Sequence, residues 1–192
     1  MSLFPNTYRV LSNKEVAFGN YKIVPIRYED RFDIMKWRNE QIYHLRQKAP
    51  LTKEDQDGYF QNVVSKLFEQ EQPDQLLFSY LEHDQCIGYG GLVHINWVDK
   101  NAEISFIMDT ELEKDFFEFH WTTYLCLLEK IAFEELNLHK INTYAFDLRP
   151  HLYPIFEKSG FIKETVLKEH CLFDNKYIDI VIHCKINKNE RI

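Results

Sequence analysis

Glu103 is the residue whose type and position best suit acid–base chemistry. It lies in the segment AEISFIM, where Ala102, Ile104 and Phe106 alternate with it as in a strand buried on one face. Successive side chains of a strand point to opposite faces, so the carboxylate lies away from these apolar residues and toward a cleft. This makes Glu103 a candidate general base. The alternative is a solvated carboxylate or the partner of a nearby Lys or Arg.

Two adjacent glycines mark a second place of interest, in the segment QCIGYGGLVHINWV. Glycine weakens a strand, and a pair usually indicates a bulge or the close approach of another backbone or a ligand. We interpret Tyr89 and Gly90 as the floor of an acceptor site, with a purely structural bulge as the alternative. Arg38 and Asn39 end a predicted helix, where a basic side chain suits the helix dipole; binding of the acceptor is the other interpretation.

Metal chemistry is not indicated. The eight histidines show no HxH or HExxH spacing, and the four cysteines show no CxxC pair, so we expect no metal site and no disulfide framework. We expect the cysteines to be buried, reduced thiols. Among the histidines, only His120 lies beside a predicted helix start, where it could join a site.

Composition limits the class of protein. A chain of 192 residues with 45% hydrophobic content suits one domain, 1–192, with its core at about 21–186. The net charge of -7 argues against nucleic-acid binding, which needs a basic surface. Neither a signal sequence nor a membrane span is predicted, so we expect a cytoplasmic protein without a membrane partner.

The elements that must position these residues alternate between strands and helices. YKIVPIRY reads as a strand, two helices follow, and the second begins at Thr52 with Asp55 in a capping box. Three strands, QLLFSYL, QCIGYGGLVHINWV and AEISFIM, should be antiparallel neighbours. A helix from His120 to Leu136, a strand KINTYAF, a short helix stopped by Gly160 and two final strands complete the order β-α-α-β-β-β-α-β-α-β-β.

This order and three motifs resemble the GNAT superfamily of N-acetyltransferases, over roughly Tyr21 to Ile186. The motifs are IGYGGL at Ile87–Leu92, AEISF at Ala102–Phe106 and FEKSGF at Phe156–Phe161, which is similar to the closing YEKxGF of the family. The likeness is strongest to the branch of ribosomal-protein N-terminal and nucleotide-amino-sugar acetyltransferases. It implies an α+β fold, layered α/β/α, with a mixed and mostly antiparallel central sheet, splayed fourth and fifth strands, and helices on both faces.

The resemblance also implies acetyl-CoA as cosubstrate. Its pantetheine arm would lie between the splayed strands, against the backbone of Phe106, Ile107 and Met108. Its pyrophosphate would meet the N-terminus of the next helix, near His120, Trp121 and Thr122. Arg149, which replaces an asparagine common in this branch, is a further candidate for the cofactor; a surface arginine is the alternative.

One segment departs from the family pattern. DTELEKDFFEFHW, Asp109 to Trp121, occupies the position of the glycine-rich pyrophosphate loop but has no glycine and carries five carboxylates, four of them after Asp109. Phe117 and Phe119 take glycine positions, and Glu118 takes a usually basic one. At an effective dielectric near 20, one like-charge pair about 6 Å apart costs about 3 kcal/mol, so we expect weak acetyl-CoA binding unless the acids point outward.

The usual general acid is also absent, because Phe156 replaces the tyrosine of YEKxGF. Tyr153, one helical turn earlier, is the candidate replacement, with aromatic packing as the alternative. We therefore expect an N-acyltransferase that moves an acetyl group from acetyl-CoA to a primary amine of a small metabolite, such as an amino-sugar nucleotide. The alternatives are a peptide N-terminal acetyltransferase and a non-catalytic relative that binds a metabolite or partner protein. Edge strands near the C-terminus could pair in a homodimer.

Overall fold

The computed structural model describes residues 4–45 and 47–188, which form a nine-stranded sheet with helices on both faces. The strands are β1 (Val16–Phe18), β2 (Tyr21–Pro25), β3 (Leu76–Glu82), β4 (Gln85–Asn96), β5 (Asn101–Met108), β6 (Lys140–Asn142), β7 (Ala145–Phe146), β8 (Ile162–Phe173) and β9 (Lys176–Ile186). The α-helices are α1 (Arg31–Glu40), α2 (Lys53–Tyr59), α3 (Ser65–Leu67), α4 (Thr110–Glu129) and α5 (Tyr153–Lys158). A π turn at Phe60–Val64 joins α2 to α3, and another at Lys130–Glu135 continues α4.

The sheet order is β1-β2-β3-β4-β5-β6-β9-β7, with β8 paired to β9. Only the β5–β6 pair is parallel, so the sheet is mixed and mostly antiparallel, as the sequence predicts. The predicted meander of β3, β4 and β5 is confirmed, with a tight turn whose residues His83 and Asp84 both have positive φ. Thr52 and Asp55 form the predicted capping box at the start of α2.

Strand alternation assigns each face of the sheet to different helices. Phe106 of β5 stacks on Tyr124 of α4, with ring centroids 3.9 Å apart. Tyr89 of β4 pairs with Ile107, on the opposite face from Phe106, and its hydroxyl accepts a hydrogen bond from Arg38 of α1. The helices therefore form two outer layers, as predicted, and β5 lies between them.

The splay that the resemblance implies is present beside β5. The parallel pairing of β5 with β6 ends at Glu103 and Asn142, and the chain then turns to β7, which pairs with β9 instead. The predicted single strand KINTYAF is consequently broken at Thr143 and Tyr144. This break leaves the second half of β5 without a neighbour on that side, and the gap becomes the wall of a cavity.

Helix α4 begins ten residues earlier than the sequence analysis predicts. The segment expected to be a loop is helical from Thr110, with a kink at Phe116, where φ is -124° and ψ is 20°. Asp109 caps this helix by accepting a hydrogen bond from the backbone N–H of Glu111, and the acids of the first turn favour the positive end of the dipole. Trp121, Leu125 and Leu128, in the later part of α4, are buried.

The cysteines are only partly as predicted. All four are free, and Cys86 and Cys184 are buried, but Cys126 is exposed and Cys171 is intermediate. Cys126 lies on the outer side of α4, between buried neighbours.

Candidate active site

A cavity of about 750 Å³ opens where β5 separates from β6 and β7. One wall is β4 and β5, the other is the segment after β6, and side chains from α1, α4 and α5 close its ends. The residues that line it are Arg38, His44, Leu45, Gln75, Val93, His94, Glu103, Ile104, Ser105, Phe106, Ile107, Trp121, Thr143, Tyr144, Ala145, Phe146, Arg149, Leu152 and Phe156. Its size is that of a small-molecule site.

Glu103, the predicted base, lines this cavity. Its side chain is 25% exposed, and its Oε2 lies 3.0 Å from Nδ1 of His94 on the neighbouring strand β4. The paired residue across the ladder is Val93, and the one on β6 is Asn142, so neither strand partner of Glu103 carries a charge. The carboxylate thus has access to the cavity and one imidazole partner.

In the second half of β5, the peptide groups alternate between hydrogen-bonding to β4 and facing the cavity. The N–H of Asp109 donates to the carbonyl of Ile87 on β4, at 2.9 Å. Since peptide groups alternate along a strand, those of Ile107 also face β4, and those of Phe106 and Met108 face the open side. The carbonyl of Met108 accepts a hydrogen bond from Nε2 of Gln41, at 2.8 Å. Phe106 is therefore left with its peptide groups toward the gap.

The predicted pyrophosphate residues are inside helix α4 and not at its start. His120 is buried, with Nδ1 3.1 Å from the hydroxyl of Tyr80, and burial lowers its pKa. Trp121 lines the cavity and contacts Phe106 edge to face, at 4.9 Å between ring centroids. Thr122 is exposed. Asp109 starts the helix upstream, but the kink at Phe116 divides it, and these residues lie in the first turns after the kink, so their role at a pyrophosphate stays a prediction.

Arg149 lies in the cavity wall and is held by an ion pair with Glu113. The two side chains are only 9% and 15% exposed. Burial lowers the pKa of Arg149, and burial raises the pKa of Glu113 against the opposing effect of the guanidinium. Nε of Arg149 is buried and lacks a hydrogen-bond partner within the described chain. The cation is present where the sequence analysis expected one, but a carboxylate already neutralises it.

His44 extends this cluster. Its Nε2 lies 3.1 Å from Nη1 of Arg149 and 3.3 Å from Oε1 of Gln41. Burial, together with the charge of Arg149, lowers the pKa of His44 to about 3. His44 is therefore neutral at physiological pH.

The other acids of the former loop point to the surface. Glu111 binds Lys114 at 2.7 Å, and Glu118 binds Lys158 at 2.6 Å. Asp115 is exposed. The repulsion expected from four acids therefore falls mainly on Glu113.

Neither Tyr153 nor Phe156 places a hydroxyl in the cavity. Tyr153 is the first residue of α5; its hydroxyl donates to Oδ1 of Asp147 at 2.7 Å, and it is not among the residues lining the cavity. Burial and the carboxylate of Asp147 raise its pKa. Phe156 lines the cavity but packs edge to face on Trp121, at 5.6 Å.

The predicted acceptor residues separate into two groups. Arg38 lines both the main cavity and an adjoining one of about 330 Å³, and its Nη1 donates to the hydroxyl of Tyr89 at 2.6 Å. Asn39 instead holds the loop before α2, donating to the carbonyl of Leu51 and accepting from its N–H. A Cβ on Gly90 would overlap a carbonyl oxygen of β5, so this glycine allows close strand approach, and the ladder shows no register shift there.

Three residues of the site escaped the sequence analysis, Gln41, His44 and His94, and the helical position of Glu113 was missed. No local pattern marks the position of His94 beside Glu103. Glu113 had a usable signal, because Asp109 followed by acids is typical of a helix start and places Glu113 one turn inside.

The mixed sheet and the open edge of β5 are those that the resemblance to N-acetyltransferases implies, and sequence comparison agrees. The model of the family described as Acetyltransferase (GNAT) domain matches residues 23–182. The chain belongs to this family.

Solved structures share the fold at low identity. A spermidine N-acetyltransferase from Vibrio cholerae, in complex with CoA and spermine, superposes with a TM-score of 0.74 at 18% identity, covering 89% of this chain and 98% of that one. A ribosomal-protein-S5-alanine acetyltransferase from Vibrio fischeri gives 0.73 at 15% identity, covering 94% and 100%.

Among the described residues, no helix is both long and apolar enough to span a bilayer.

Proposed function

We propose that this chain transfers an acetyl group from acetyl-CoA to a primary amine of a small metabolite, with an amino-sugar nucleotide as the preferred class. The observation that carries the proposal is the open edge of β5, with Glu103 and Phe106 on opposite faces of one cavity wall. One face offers a proton acceptor, and the exposed edge offers free peptide groups. Acetyl-CoA would supply the activated acetyl group as a thioester.

The pantetheine arm fits the splayed edge. An amide-bearing chain laid along β5 would find the peptide groups of Phe106 and the N–H of Met108 facing the gap, since β6 leaves the strand at Glu103. Gln41 already occupies the carbonyl of Met108. The pantetheine arm would therefore form its hydrogen bonds mainly with the peptide groups of Phe106.

The pyrophosphate of acetyl-CoA fits the site less well than its pantetheine arm, which supports weak binding of acetyl-CoA. Helix α4 runs through the position of the glycine-rich loop with a kink at Phe116, and Phe117 and Phe119 place side chains where glycines would let a phosphate approach. Arg149 is a cation of the cavity wall that a phosphate could use, but Glu113 binds it. The phosphates would have to compete with that carboxylate.

The acceptor side favours an anionic amine. Arg38 places a permanent cation at the junction of the two cavities, beside Tyr89. A second cation about 6 Å from it costs about 3 kcal/mol at an effective dielectric near 20, which disfavours a polyamine such as the spermine bound by the Vibrio cholerae relative. A phosphate or carboxylate on the acceptor would gain a similar amount.

A non-catalytic binding protein is the second candidate function. It is favoured by the helical segment in place of the pyrophosphate loop and by Phe156 at the acid position. An acceptor with a peptide N-terminus is a further alternative, in line with the ribosomal-protein acetyltransferase that shares the fold.

Acceptor choice can be tested by comparing an amino-sugar nucleotide, a short peptide and spermidine in a thiol-release assay. We expect the nucleotide to be preferred, and Arg38→Gln to reduce that preference by about tenfold or more. Asn39→Ala serves as the matched control on the same helix, because it alters a loop anchor outside the cavity. A preference for spermidine would contradict the proposed acceptor but not acetyl transfer itself.

A further inference from the structure

The contact between His94 and Glu103 depends on an irregular backbone. Val93 is the ladder partner of Glu103, so in a regular strand the next residue would point to the opposite face of the sheet. The register instead shifts between Val93 and Asn96, and His94 has a φ of 51°. Bulges of this kind turn a side chain away from the face of the sheet that regular strand alternation would give it. Here the turn brings the imidazole to the carboxylate on the cavity side.

The pair has the arrangement of a histidine base with an orienting carboxylate. Nδ1 of His94 lies 3.0 Å from Oε2 of Glu103, so the ionised carboxylate accepts a hydrogen bond from Nδ1–H. This fixes the tautomer and leaves the lone pair on Nε2. The His94 side chain is 79% exposed, against 25% for Glu103, so Nε2 can reach both an acceptor in the cavity and solvent.

We infer that His94 is the general base of the reaction and that Glu103 is its positioning residue, an inference that rests on the proposed acetyl transfer to an amine. Nε2 takes one proton from the substrate ammonium, and the resulting imidazolium is stabilised by the Glu103 carboxylate. The neutral amine then forms the C–N bond to the acetyl carbon, and the C–S bond breaks with its electron pair going to sulfur. A second proton from the nitrogen ends on the thiolate, and the first leaves the exposed imidazole for water.

An imidazole suits this task better than the carboxylate alone. General bases work best when they titrate near the operating pH, which imidazoles do and ordinary carboxyls do not. The ring is also the more exposed of the two groups, 79% against 25%, so it passes the proton to solvent more readily.

The other titratable groups of the cavity would not produce the same pH dependence. Arg38 projects from α1, Arg149 precedes α5, and both guanidiniums keep their charge across the neutral range. His44 has its pKa lowered to about 3, by burial first and by Arg149 second. Tyr144, on the facing wall, is a phenol, which ordinarily titrates on the alkaline side.

The test is the pH profile of kcat/KM for the amine in His94→Asn. Asparagine tolerates positive φ and its amide can donate to Glu103, but it cannot carry the proton. We expect a loss of about tenfold or more at neutral pH and the disappearance of the acid limb, with unchanged acetyl-CoA affinity. His83→Asn is the matched control, since His83 is exposed, has a φ of 44° and lies in the β3–β4 turn, outside the cavity lining. The pH profile of kcat/KM of this control should match that of the wild type.

A second readout does not need turnover. Long-range proton–nitrogen NMR spectra, assigned by the signal missing in His94→Asn, should show the Nδ1–H tautomer in the wild type and a changed tautomer population in Glu103→Ala, which removes the acceptor. An acid limb and a rate within about twofold of wild type in His94→Asn would overturn the inference. If the wild type itself acetylates no amine, the proposed function fails, and an unaltered tautomer in Glu103→Ala would refute the pair separately.

Discussion

Replacing Glu113 by glutamine should tighten acetyl-CoA binding while it destabilises the free protein. Glu113 is the one acid of the former loop that binds the buried Arg149. A phosphate on the far side of that guanidinium would lie about 6 Å from the carboxylate, which costs about 3 kcal/mol at an effective dielectric near 20. The amide removes that repulsion but also removes the counter-charge, at a cost of about 1 to 3 kcal/mol in stability.

Calorimetric titration with acetyl-CoA measures the gain, and thermal denaturation without ligand measures the loss. We expect the dissociation constant of Glu113→Gln to fall by about tenfold or more, toward the hundredfold that the full repulsion allows. Because the pair is largely buried, the gain should persist at about 0.5 M salt. The melting temperature of the free variant should fall.

Glu118→Gln is the matched control for this prediction. Glu118 belongs to the same helix, but it binds Lys158 on the surface, where both side chains are more than half exposed. Its replacement should change the affinity by no more than about twofold. If Glu113→Gln binds acetyl-CoA no more tightly than Glu118→Gln does, Arg149 is not a phosphate site and the reasoning fails.

Three further outcomes follow. Tyr153→Phe should lower the rate of acetyl transfer less than about tenfold, whereas Glu103→Gln should lower it more, because only Glu103 lines the cavity. Equal losses of steady-state rate in the two variants would contradict this prediction. Gly90→Ala should lower the melting temperature sharply, since its Cβ would overlap a β5 carbonyl oxygen, whereas Gly58→Ala in α2 should stabilise by about 0.5 to 1 kcal/mol. In the unfolded chain His44 takes up a proton below about pH 6.5, whereas in the folded protein it stays neutral down to about pH 3. The free energy of unfolding should therefore decrease as the pH is lowered, and His44→Gln should reduce this pH dependence in thermal denaturation.

Much of the fold was predictable because its signals are local. The capping box at Thr52, the antiparallel order of β3, β4 and β5, and the alternation around Glu103 each follow from short stretches of sequence, and the structure confirms all three. The family motifs extended these pieces to the splayed sheet. Those features use side-chain periodicity and turn chemistry, which a single sequence contains.

The site was less predictable because its contacts are distant in sequence. Arg149 meets Glu113 and His44 across the fold, and no periodicity connects these three positions. His94 reaches Glu103 only through a register shift, whereas strand alternation alone would point it away. The loop expected in place of the first part of α4 was an error of analogy, since the family pattern was given more weight than the cap at Asp109.

Amine-dependent thiol release from acetyl-CoA tests the central claim most directly. Wild-type protein should release thiol faster with an amino-sugar nucleotide than by thioester hydrolysis alone, with the acetylated amine identified by mass spectrometry, and Glu103→Gln should lose most of that increment. Acetyl-CoA at about 1 mM should also raise the melting temperature of the wild type. If amines of all three tested classes leave the rate at the hydrolysis background, and acetyl-CoA leaves the melting temperature unchanged, the chain is not an acetyltransferase.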